Sequence, residues 1–334
     1  MQIYRLKRLL VIRFSALGDV AMLVPVLRRL AEQHSECDIT MLSRKQWAPL
    51  FTELPVNVHF FGADLKGRHK GLAGLNRLLS DLQFRRFDAV ADMHSVLRTY
   101  YLRFVLRLYG KRVAVLQKGK LHKWLTVKHW RCGAKPLPST LSRYAAVLQR
   151  LGLNVALDSS QSQPSQPRAS IGIAPFAAHP NKIYPLERME QVVKTVGEKM
   201  DQRGEKVYLF GAGETEKTVL ERWEKDYKGV VSLAGKQMLD KEINIMRTLR
   251  LMVTMDSGNM HLASLAGTRV LSIWGATHPC MGFTGYRQQA GDCIQRDLPC
   301  RPCSVYGNKP CRFGHPACLD IPVEKVVERI MKEV

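Results

Sequence analysis

The first residues that could do chemistry lie in the stretch LLVIRFSALGDVAML, which runs from Leu9 to Leu23. Its opening residues are an apolar run of the kind that a parallel sheet buries, and a helical pattern of apolar residues begins at Val20. Asp19 stands in the turn between them, beyond the carboxyl end of the predicted strand. A carboxylate there can cap the helix, or it can serve as a general base beside a ligand bound at the sheet edge. Both interpretations remain open at this point.

The same turn holds a single glycine, Gly18. A dinucleotide-binding turn needs G-x-G-x-x-G after the first strand, because glycine lets the backbone approach the pyrophosphate. The turn therefore predicts that this half of the chain binds a ligand other than a nucleotide.

A phosphate site is predicted in the second half, in VTMDSGNMHLASLAG, which runs from Val253 to Gly267. This stretch has the pattern of a strand, a turn that begins at Asp256, and a helix. Ser257 and Gly258 would then present backbone N–H groups at a helix N-terminus, which attracts anions. The alternative is an ordinary capped helix.

Two further strand ends are expected at the same sheet edge. Lys182 follows a predicted strand that ends at Pro175, which would place its ammonium within reach of a bound phosphate. Glu214 follows the strand that ends at Gly211, and Gly211 and Gly213 would let the backbone approach a ligand whose ribose hydroxyls the acid could hold. The alternatives are a lone surface lysine and an acid that merely begins a helix.

Four cysteines near the end of the chain follow the pattern C-x2-C-x7-C-x6-C: Cys300, Cys303, Cys311 and Cys318. A C-x-x-C pair followed by two more thiols is compatible with a structural zinc site. The alternative is thiols that are reduced or adventitiously oxidised. The N-terminus leads straight into a predicted strand with no secretory pattern, so reduced thiols are the default expectation.

Apolar strands alternate with helical patterns in both halves, which predicts two doubly wound parallel-sheet domains with a cleft between them. The predicted strands are 9–13, 38–42, 56–61, 87–92 and 112–116 in the first half, and 170–175, 206–211, 229–233, 251–256 and 270–274 in the second. The polar, proline-bearing segment 158–169 predicts a linker. The domains are therefore expected at 1–157 and 170–334.

The net charge of +22 is unevenly distributed, because residues 1–150 carry 27 Lys and Arg against 9 Asp and Glu. Between Asp92 and Asp158 there are 13 basic residues and no acidic one. This gap predicts an anionic partner for the first half, and nucleic acid, anionic lipid and a phosphorylated glycolipid all qualify. A solvated basic face is the alternative. No apolar run approaches the roughly 18 residues of a membrane span.

Several stretches together resemble glycosyltransferase family 9, the ADP-heptose:lipopolysaccharide heptosyltransferases. They are VIRFSALGDVAMLVPVLRRLA, NKIYPLERMEQVV, FGAGE, MDSGNMHLASLAG, WGATHP and PCRPCSVYGNKPCRFGHPACLDI. The resemblance runs from residue 9 to about residue 325. It implies an α/β GT-B fold, two Rossmann-like domains facing a cleft, with the acceptor in the N-terminal domain and the nucleotide-sugar in the C-terminal one.

The resemblance also implies roles for individual residues. Asp19 matches the proposed general base. The donor-binding set is Lys182 on the diphosphate, Glu214 near the ribose, Asp256 at the donor sugar, Ser257 and Gly258 in the diphosphate-binding turn, and His261 in the same motif. Asp92 and Arg98 fall where the family has an acceptor-facing strand end and a basic helix start. Lys120 and Lys123 belong to a basic, aromatic-containing segment from Arg98 to Arg131 that we expect to bind the acceptor and an anionic membrane surface.

The implied reaction is an inverting transfer of heptose from ADP-heptose to the lipid A-linked inner core of lipopolysaccharide, without a metal or other cofactor. The implied location is cytoplasmic, peripheral on the inner membrane face. One alternative is a GT-B glycosyltransferase with another nucleotide-sugar donor. The other is a basic nucleic-acid-binding protein, which the charge alone would support although no nucleic-acid motif is present. The number of subunits is not predicted.

Overall fold

The computed structural model describes residues 6–129, 136–157 and 168–334. The chain divides into two compact units, one made of Met1–Lys118 with Thr140–Asp158 and the other of Gly119–Ser139 with Ser159–Val334. The second unit therefore includes residues 119–139, which the predicted boundary at 157 placed in the first domain. Most of the predicted linker 158–169 lies outside the described residues.

The first unit is built on five parallel strands in the order β3-β2-β1-β4-β5. The strands are β1 (Arg8–Ile12), β2 (Asp38–Arg44), β3 (Val58–Ala63), β4 (Ala89–Asp92) and β5 (Arg112–Val115). The helices of the first 157 residues are α1 (Leu17–Ala21), α2 (Leu23–Gln33), α3 (Gly71–Asp81), α4 (Leu97–Leu108), α5 (Lys120–His129) and α6 (Thr140–Gln149), of which α5 belongs to the second unit. The inner strands β1, β2 and β4 are short, mostly apolar and largely buried on both faces, as a parallel sheet between helices requires, whereas the edge strands β3 and β5 are only partly buried.

The second unit holds six parallel strands in the order β11-β10-β9-β6-β7-β8. The strands are β6 (Ala169–Ala174), β7 (Val207–Leu209), β8 (Val230–Ser232), β9 (Leu249–Met255), β10 (Arg269–Trp274) and β11 (Cys293–Gln295). The helices are α7 (Leu186–Asp201), α8 (Glu214–Asp226), α9 (Leu239–Thr248), α10 (Gly258–Leu265) and α11 (Val323–Met331). Every strand predicted from the sequence is present, with ends that shift by at most a few residues.

Both sheets reverse their strand order at one point. In the first unit β1 lies between β2 and β4, and in the second β6 lies between β7 and β9. Helices leave the two central strands in opposite directions at such a switch point, which opens a crevice at the carboxyl ends of the strands where ligands bind. The fold therefore predicts a site beyond β1 and β4 and another beyond β6 and β9. Within the described residues no helix is long and apolar enough to cross a membrane.

Gly74 in α3 tests how tightly the first unit is packed. A Cβ at this position would lie 2.3 Å from the backbone carbonyl carbon of His69, a buried residue. Helix propensity alone favours Gly74→Ala by about 1 kcal/mol, but the clash with backbone should outweigh it and destabilise the protein by about 1–3 kcal/mol. Urea unfolding measures the change, and Ser80→Ala on the exposed face of the same helix is the control, with an expected change near zero. A Gly74→Ala variant as stable as the parent would contradict this packing.

Candidate functional site

In the second unit, three strand ends bring three polar side chains together. Asp256 follows β9 and is 5% exposed. Its Oδ2 accepts a hydrogen bond from the Thr277 hydroxyl, beyond β10, at 2.8 Å. The Lys182 ammonium, beyond β6, lies 2.8 Å from the same oxygen. The sequence predicted Lys182 and Asp256 at one edge, and the structure joins them in an ion pair.

The predicted phosphate-binding turn follows Asp256 directly. α10 begins at Gly258, and Ser257 is its N-cap residue. The Ser257 hydroxyl lies 3.1 Å from that of Thr254 and does not cap the helix, so the backbone N–H groups of the first turn remain available to an anion. His261 lies one turn further along α10 and is buried. The positive end of α10 and the Lys182 ammonium together make this edge suited to a diphosphate.

Glu214 is the first residue of α8 and is exposed. Gly213 precedes it with φ of 84°, a conformation that favours glycine. The neighbouring acid Glu216 holds this turn, because its carboxylate accepts a hydrogen bond from the Ala212 N–H at 2.7 Å. The loop is therefore shaped by Glu216, while the Glu214 side chain extends into solvent beyond β7.

In the first unit, Asp19 is the third residue of α1, whose N-cap residue is Ala16. The Ala16 N–H is 3.4 Å from Asp19 Oδ2, a long contact. The same oxygen forms an ion pair with the Arg13 guanidinium, and the Asp19 side chain is 32% exposed. The Tyr144 hydroxyl donates to the Asp19 carbonyl oxygen at 3.1 Å and so fixes the backbone of this residue.

Arg13 was not singled out from the sequence. It ends the apolar run of β1, where an arginine is usually an ordinary surface residue, yet it is 6% exposed. Its guanidinium also donates to the Met93 carbonyl oxygen beyond β4. The available signal was the placement of a cation at the end of a buried strand, six residues before Asp19. Buried cations need a partner, and Asp19 is the one that the fold supplies.

Asp92 at the end of β4 is fully buried. One of its oxygens accepts the backbone N–H groups of His94 and Ser95, both at 2.9 Å, and the other lies 3.3 Å from the Arg103 guanidinium. The sequence predicted that Asp92 contacts an acceptor. In the structure the N–H groups of the following turn and the Arg103 guanidinium of α4 contact its carboxylate. Asp92 therefore stabilises the turn after β4 from a buried position.

His94 adds a group that sequence reasoning missed. Its Nε2 lies 3.3 Å from the Ser15 hydroxyl, and its ring meets that of Phe14 edge-on at 6.1 Å between centroids. Burial, and then the nearby cations Arg13 and Lys118, lower the pKa of His94 to about 4. The imidazole is therefore neutral at physiological pH beside the Arg13–Asp19 pair.

The remaining basic residues predicted for the acceptor lie on two different helices, which belong to different units. Arg98 lies exposed at the start of α4, and Lys120 lies exposed at the start of α5, which groups with the second unit. Lys123 is 6% exposed, and its ammonium sits 4.6 Å from the centroid of the Phe283 ring. A buried lysine packed on an aromatic ring contributes mainly to the second unit's own packing.

The four late cysteines are free thiols, and Cys280 is disulfide-bonded, contrary to the expectation of uniformly reduced thiols. Within the described residues, no group of three or more His, Cys, Asp or Glu side chains could hold a metal ion. The zinc alternative at Cys300, Cys303, Cys311 and Cys318 therefore finds no support. A physical reason is the buried guanidinium of Arg301, which interacts electrostatically with three of these thiols and would repel a divalent cation.

The low pKa of His94 predicts a pH dependence of stability. An unfolded histidine titrates near 6.5, so between about pH 4 and 6.5 the unfolded chain binds more protons at this residue. The neutral His94 ring therefore makes its full contribution to the free energy of unfolding above pH 6.5. That contribution is lost as the pH falls toward 4, at about 1 kcal/mol per pH unit. Urea unfolding at pH 5 and pH 7.5 should show a smaller loss of stability for His94→Gln than for the parent.

The comparison between the two proteins isolates His94, because His278, whose pKa burial also lowers to about 4, is present in both. An NMR titration of the His94 ring with a midpoint above pH 6 would contradict the assignment.

Comparisons with known proteins identify the family to which this chain belongs. A family model described as glycosyltransferase family 9 (heptosyltransferase) matches residues 76–312. The lipopolysaccharide core heptosyltransferase OpsX of Haemophilus influenzae is 22% identical over 289 residues, which cover 82% of this chain and 80% of that protein. Lipooligosaccharide heptosyltransferase 2 of Campylobacter jejuni is 29% identical over 135 residues, 38% of this chain and 40% of that protein.

Solved structures share the fold. A glycosyltransferase family 9 protein from Veillonella parvula superposes with a TM-score of 0.73 at 20% identity, covering 98% of this chain and 97% of that one. ADP-heptose LPS heptosyltransferase II of E. coli gives a TM-score of 0.65 at 19% identity, covering 98% of each chain. The predicted GT-B fold class is confirmed. The family model spans well over half of the chain, and the protein therefore belongs to glycosyltransferase family 9 and is a transferase.

Proposed function

We propose that this protein transfers heptose from ADP-heptose to the inner core of a lipid A-linked lipopolysaccharide acceptor, with inversion at the anomeric carbon. Membership of the family and the functions for which the relatives are named support this donor and acceptor. The observation that carries the proposal is the joining of Lys182, Asp256 and the start of α10 at the switch point of the second sheet. Nucleotide-sugars present a diphosphate, which is the ligand that such an edge favours.

On the donor side, the Lys182 ammonium and the first N–H groups of α10 bind the diphosphate. A lysine ammonium has three donors, so Lys182 can hold a phosphate oxygen while it keeps its contact with Asp256. The same groups stabilise the negative charge that develops on ADP as the glycosidic oxygen departs. Asp256 faces the donor sugar, Glu214 binds the ribose hydroxyls, and Ser257, Gly258 and His261 complete the donor site.

On the acceptor side, Asp19 is the general base. Its carboxylate removes the proton from an acceptor hydroxyl, and the oxygen attacks the anomeric carbon from the face opposite ADP. The new C–O bond forms as the bond to the diphosphate breaks, and ADP leaves with the electron pair. Arg13 holds the carboxylate in position through its ion pair with Oδ2. Asp92 and Arg103 support the turn that carries His94 next to this base.

Replacement of the base tests the mechanism. Asp19→Asn should lower turnover of ADP-heptose by roughly 100- to 10,000-fold, the usual contribution of general base catalysis. Thermal stabilisation by ADP should stay near that of the parent, because ADP binds the second unit. Turnover is measured by release of ADP in the presence of a lipid A-linked core acceptor. Glu32→Gln, which changes an exposed acid on α2, is the matched control and should be unaffected.

Retained turnover in Asp19→Asn would reduce Asp19 to a residue that only supports its helix. The donor is tested in parallel by thermal shift against ADP-, UDP- and GDP-sugars, where selective stabilisation by ADP compounds is expected. Stabilisation by UDP- or GDP-sugars instead would indicate another donor. Salt-sensitive binding of random DNA or RNA, with no response to any nucleotide-sugar, would favour the nucleic-acid alternative.

We further propose that the enzyme works in the cytoplasm, attached peripherally to the anionic inner membrane through α4. This helix exposes an apolar stripe of Leu97, Tyr100, Phe104 and Leu108, of which Leu97 is 83% and Leu108 70% exposed. Arg98 and Arg107 are exposed beside the stripe, and the helix carries no acidic residue. Exposed leucine and phenylalanine flanked by arginine favour a lipid interface over an aqueous polyanion. Lys120 begins α5, which exposes Leu121 and Trp124 in a similar way.

The double substitution Leu97→Ser/Phe104→Ser tests this attachment. Sedimentation with vesicles of phosphatidylglycerol and phosphatidylethanolamine should show binding at least about tenfold weaker than that of the parent, because about 0.8 kcal/mol is lost per buried methylene. Val56→Ser, which removes an apolar side chain that is 95% exposed and outside α4, is the control. Equal vesicle binding by all three proteins would exclude α4 as the membrane contact.

A further inference from the structure

The cysteine-rich segment after β11 has an irregular backbone, and hydrogen bonds from the buried Arg301 side chain stabilise it. Arg301 is 2% exposed, and burial lowers the pKa of its guanidinium. The guanidinium donates hydrogen bonds to four carbonyl oxygens, those of Trp274, Gly275, Thr277 and Arg296, at 2.6–3.3 Å. A buried cation is tolerated only when its donors are satisfied. Three of these four carbonyls belong to the end of β10 and the loop after it, which carries Thr277.

A second set of contacts ties the same segment to the loop that carries Lys182. The Asn181 side-chain amide donates to the Lys309 carbonyl oxygen at 2.6 Å. The Ala276 N–H donates to the Asn181 carbonyl oxygen at 3.0 Å, and the Cys303 N–H donates to the Ala276 carbonyl oxygen at 2.9 Å. Residues 301–309, which we name the backing segment, therefore fix the loop after β10 and the loop after β6 together.

The backing segment meets Lys182 directly at Gly307. A Cβ on Gly307 would lie 2.6 Å from Cγ and 2.9 Å from Cδ of Lys182, and 3.4 Å from Cγ2 of Thr277. Gly307 also has φ of 71°, in the region that favours glycine. The aliphatic stem of Lys182 thus lies against bare backbone on one side, and its ammonium points to Asp256.

We propose that the backing segment positions Lys182 for the diphosphate, with Gly307 and Arg301 as positioning residues. The inference rests on the proposed function, because it takes Lys182 as the diphosphate ligand. A lysine side chain has several freely rotating bonds, and ordering it on binding costs conformational entropy. A stem already confined by Gly307 avoids much of that cost and delivers the ammonium to one place. The cysteine-rich segment then has a role in donor binding that requires no metal ligand among its thiols.

Gly307→Ala tests the proposal, and the chain offers a matched control in Gly314. Gly314 lies in the same cysteine-rich stretch but outside the backing segment and has φ of 73°, and a Cβ there would meet nothing within 4 Å. Both alanines incur a similar backbone strain, and only the one at 307 displaces Lys182. Gly307→Ala should raise the Kd for ADP roughly tenfold, as expected when one charge-assisted hydrogen bond is weakened, and should raise KM for the donor but not for the acceptor. Gly314→Ala should change neither.

A double-mutant cycle separates positioning from general damage. If Gly307 acts through Lys182, Gly307→Ala added to Lys182→Ala should change ADP affinity by less than about twofold. Asn181→Ala, which releases the other end of the backing segment, should also weaken ADP binding, and again only while Lys182 is present. This variant keeps the proposal testable if Gly307→Ala does not fold.

Each outcome points to a different conclusion. Equal ADP affinity in Gly307→Ala and Gly314→Ala, or additive effects in the cycle, would overturn the positioning role. Unchanged ADP binding in Lys182→Ala would instead overturn the proposed donor site, whatever the backing segment does.

Discussion

A carboxylate at the switch point of each sheet is the constraint on which the two candidate sites depend. Asp92 ends β4 beside β1, and Asp256 follows β9 beside β6. Both are nearly or fully buried, and a buried carboxylate is costly unless hydrogen bonds and a cation compensate it. Each buried carboxylate is therefore paired with polar side chains that compensate its charge: Arg103 for Asp92, and Lys182 with Thr277 for Asp256.

The two buried carboxylates have different partners. Asp92 supports the backbone of its own turn, whereas Asp256 holds a lysine that we propose binds the donor. Asp92 accepts two backbone N–H groups from its own turn, so its charge is used up in shaping the loop that carries His94. Asp256 is balanced by side chains from neighbouring strands instead, and one of these is a lysine that is itself 14% exposed. An ammonium with three donors can serve a carboxylate and an incoming phosphate at once. In the donor site that we propose, the Lys182 ammonium would therefore keep N–H donors for the diphosphate while it pairs with Asp256.

Every strand except β11 was predicted from the sequence, as were the doubly wound units and the convergence of Lys182 with Asp256, because strand ends in a parallel sheet share an edge. It could not predict the partners that come from side-chain geometry. Arg13 and Arg301 look like ordinary surface cations until the fold buries them. Periodicity likewise gave no sign that Lys123 would turn inward onto an aromatic ring. The spacing of the cysteines was compatible with zinc, yet spacing does not specify which way thiols point in an irregular segment.

For Asp19, the partners that bear on the choice between cap and base are also ones that spacing does not reveal. As the third residue of α1, Asp19 reaches back to the Ala16 N–H, but at 3.4 Å this contact is too long to hold the carboxylate. The Arg13 guanidinium, fixed in turn by the Met93 carbonyl oxygen, is the stronger restraint. A helix cap gains nothing from a buried arginine beside it, whereas a base must be ionised, oriented and partly open to its substrate. The geometry therefore supports a carboxylate that is held for chemistry and assists its helix only secondarily.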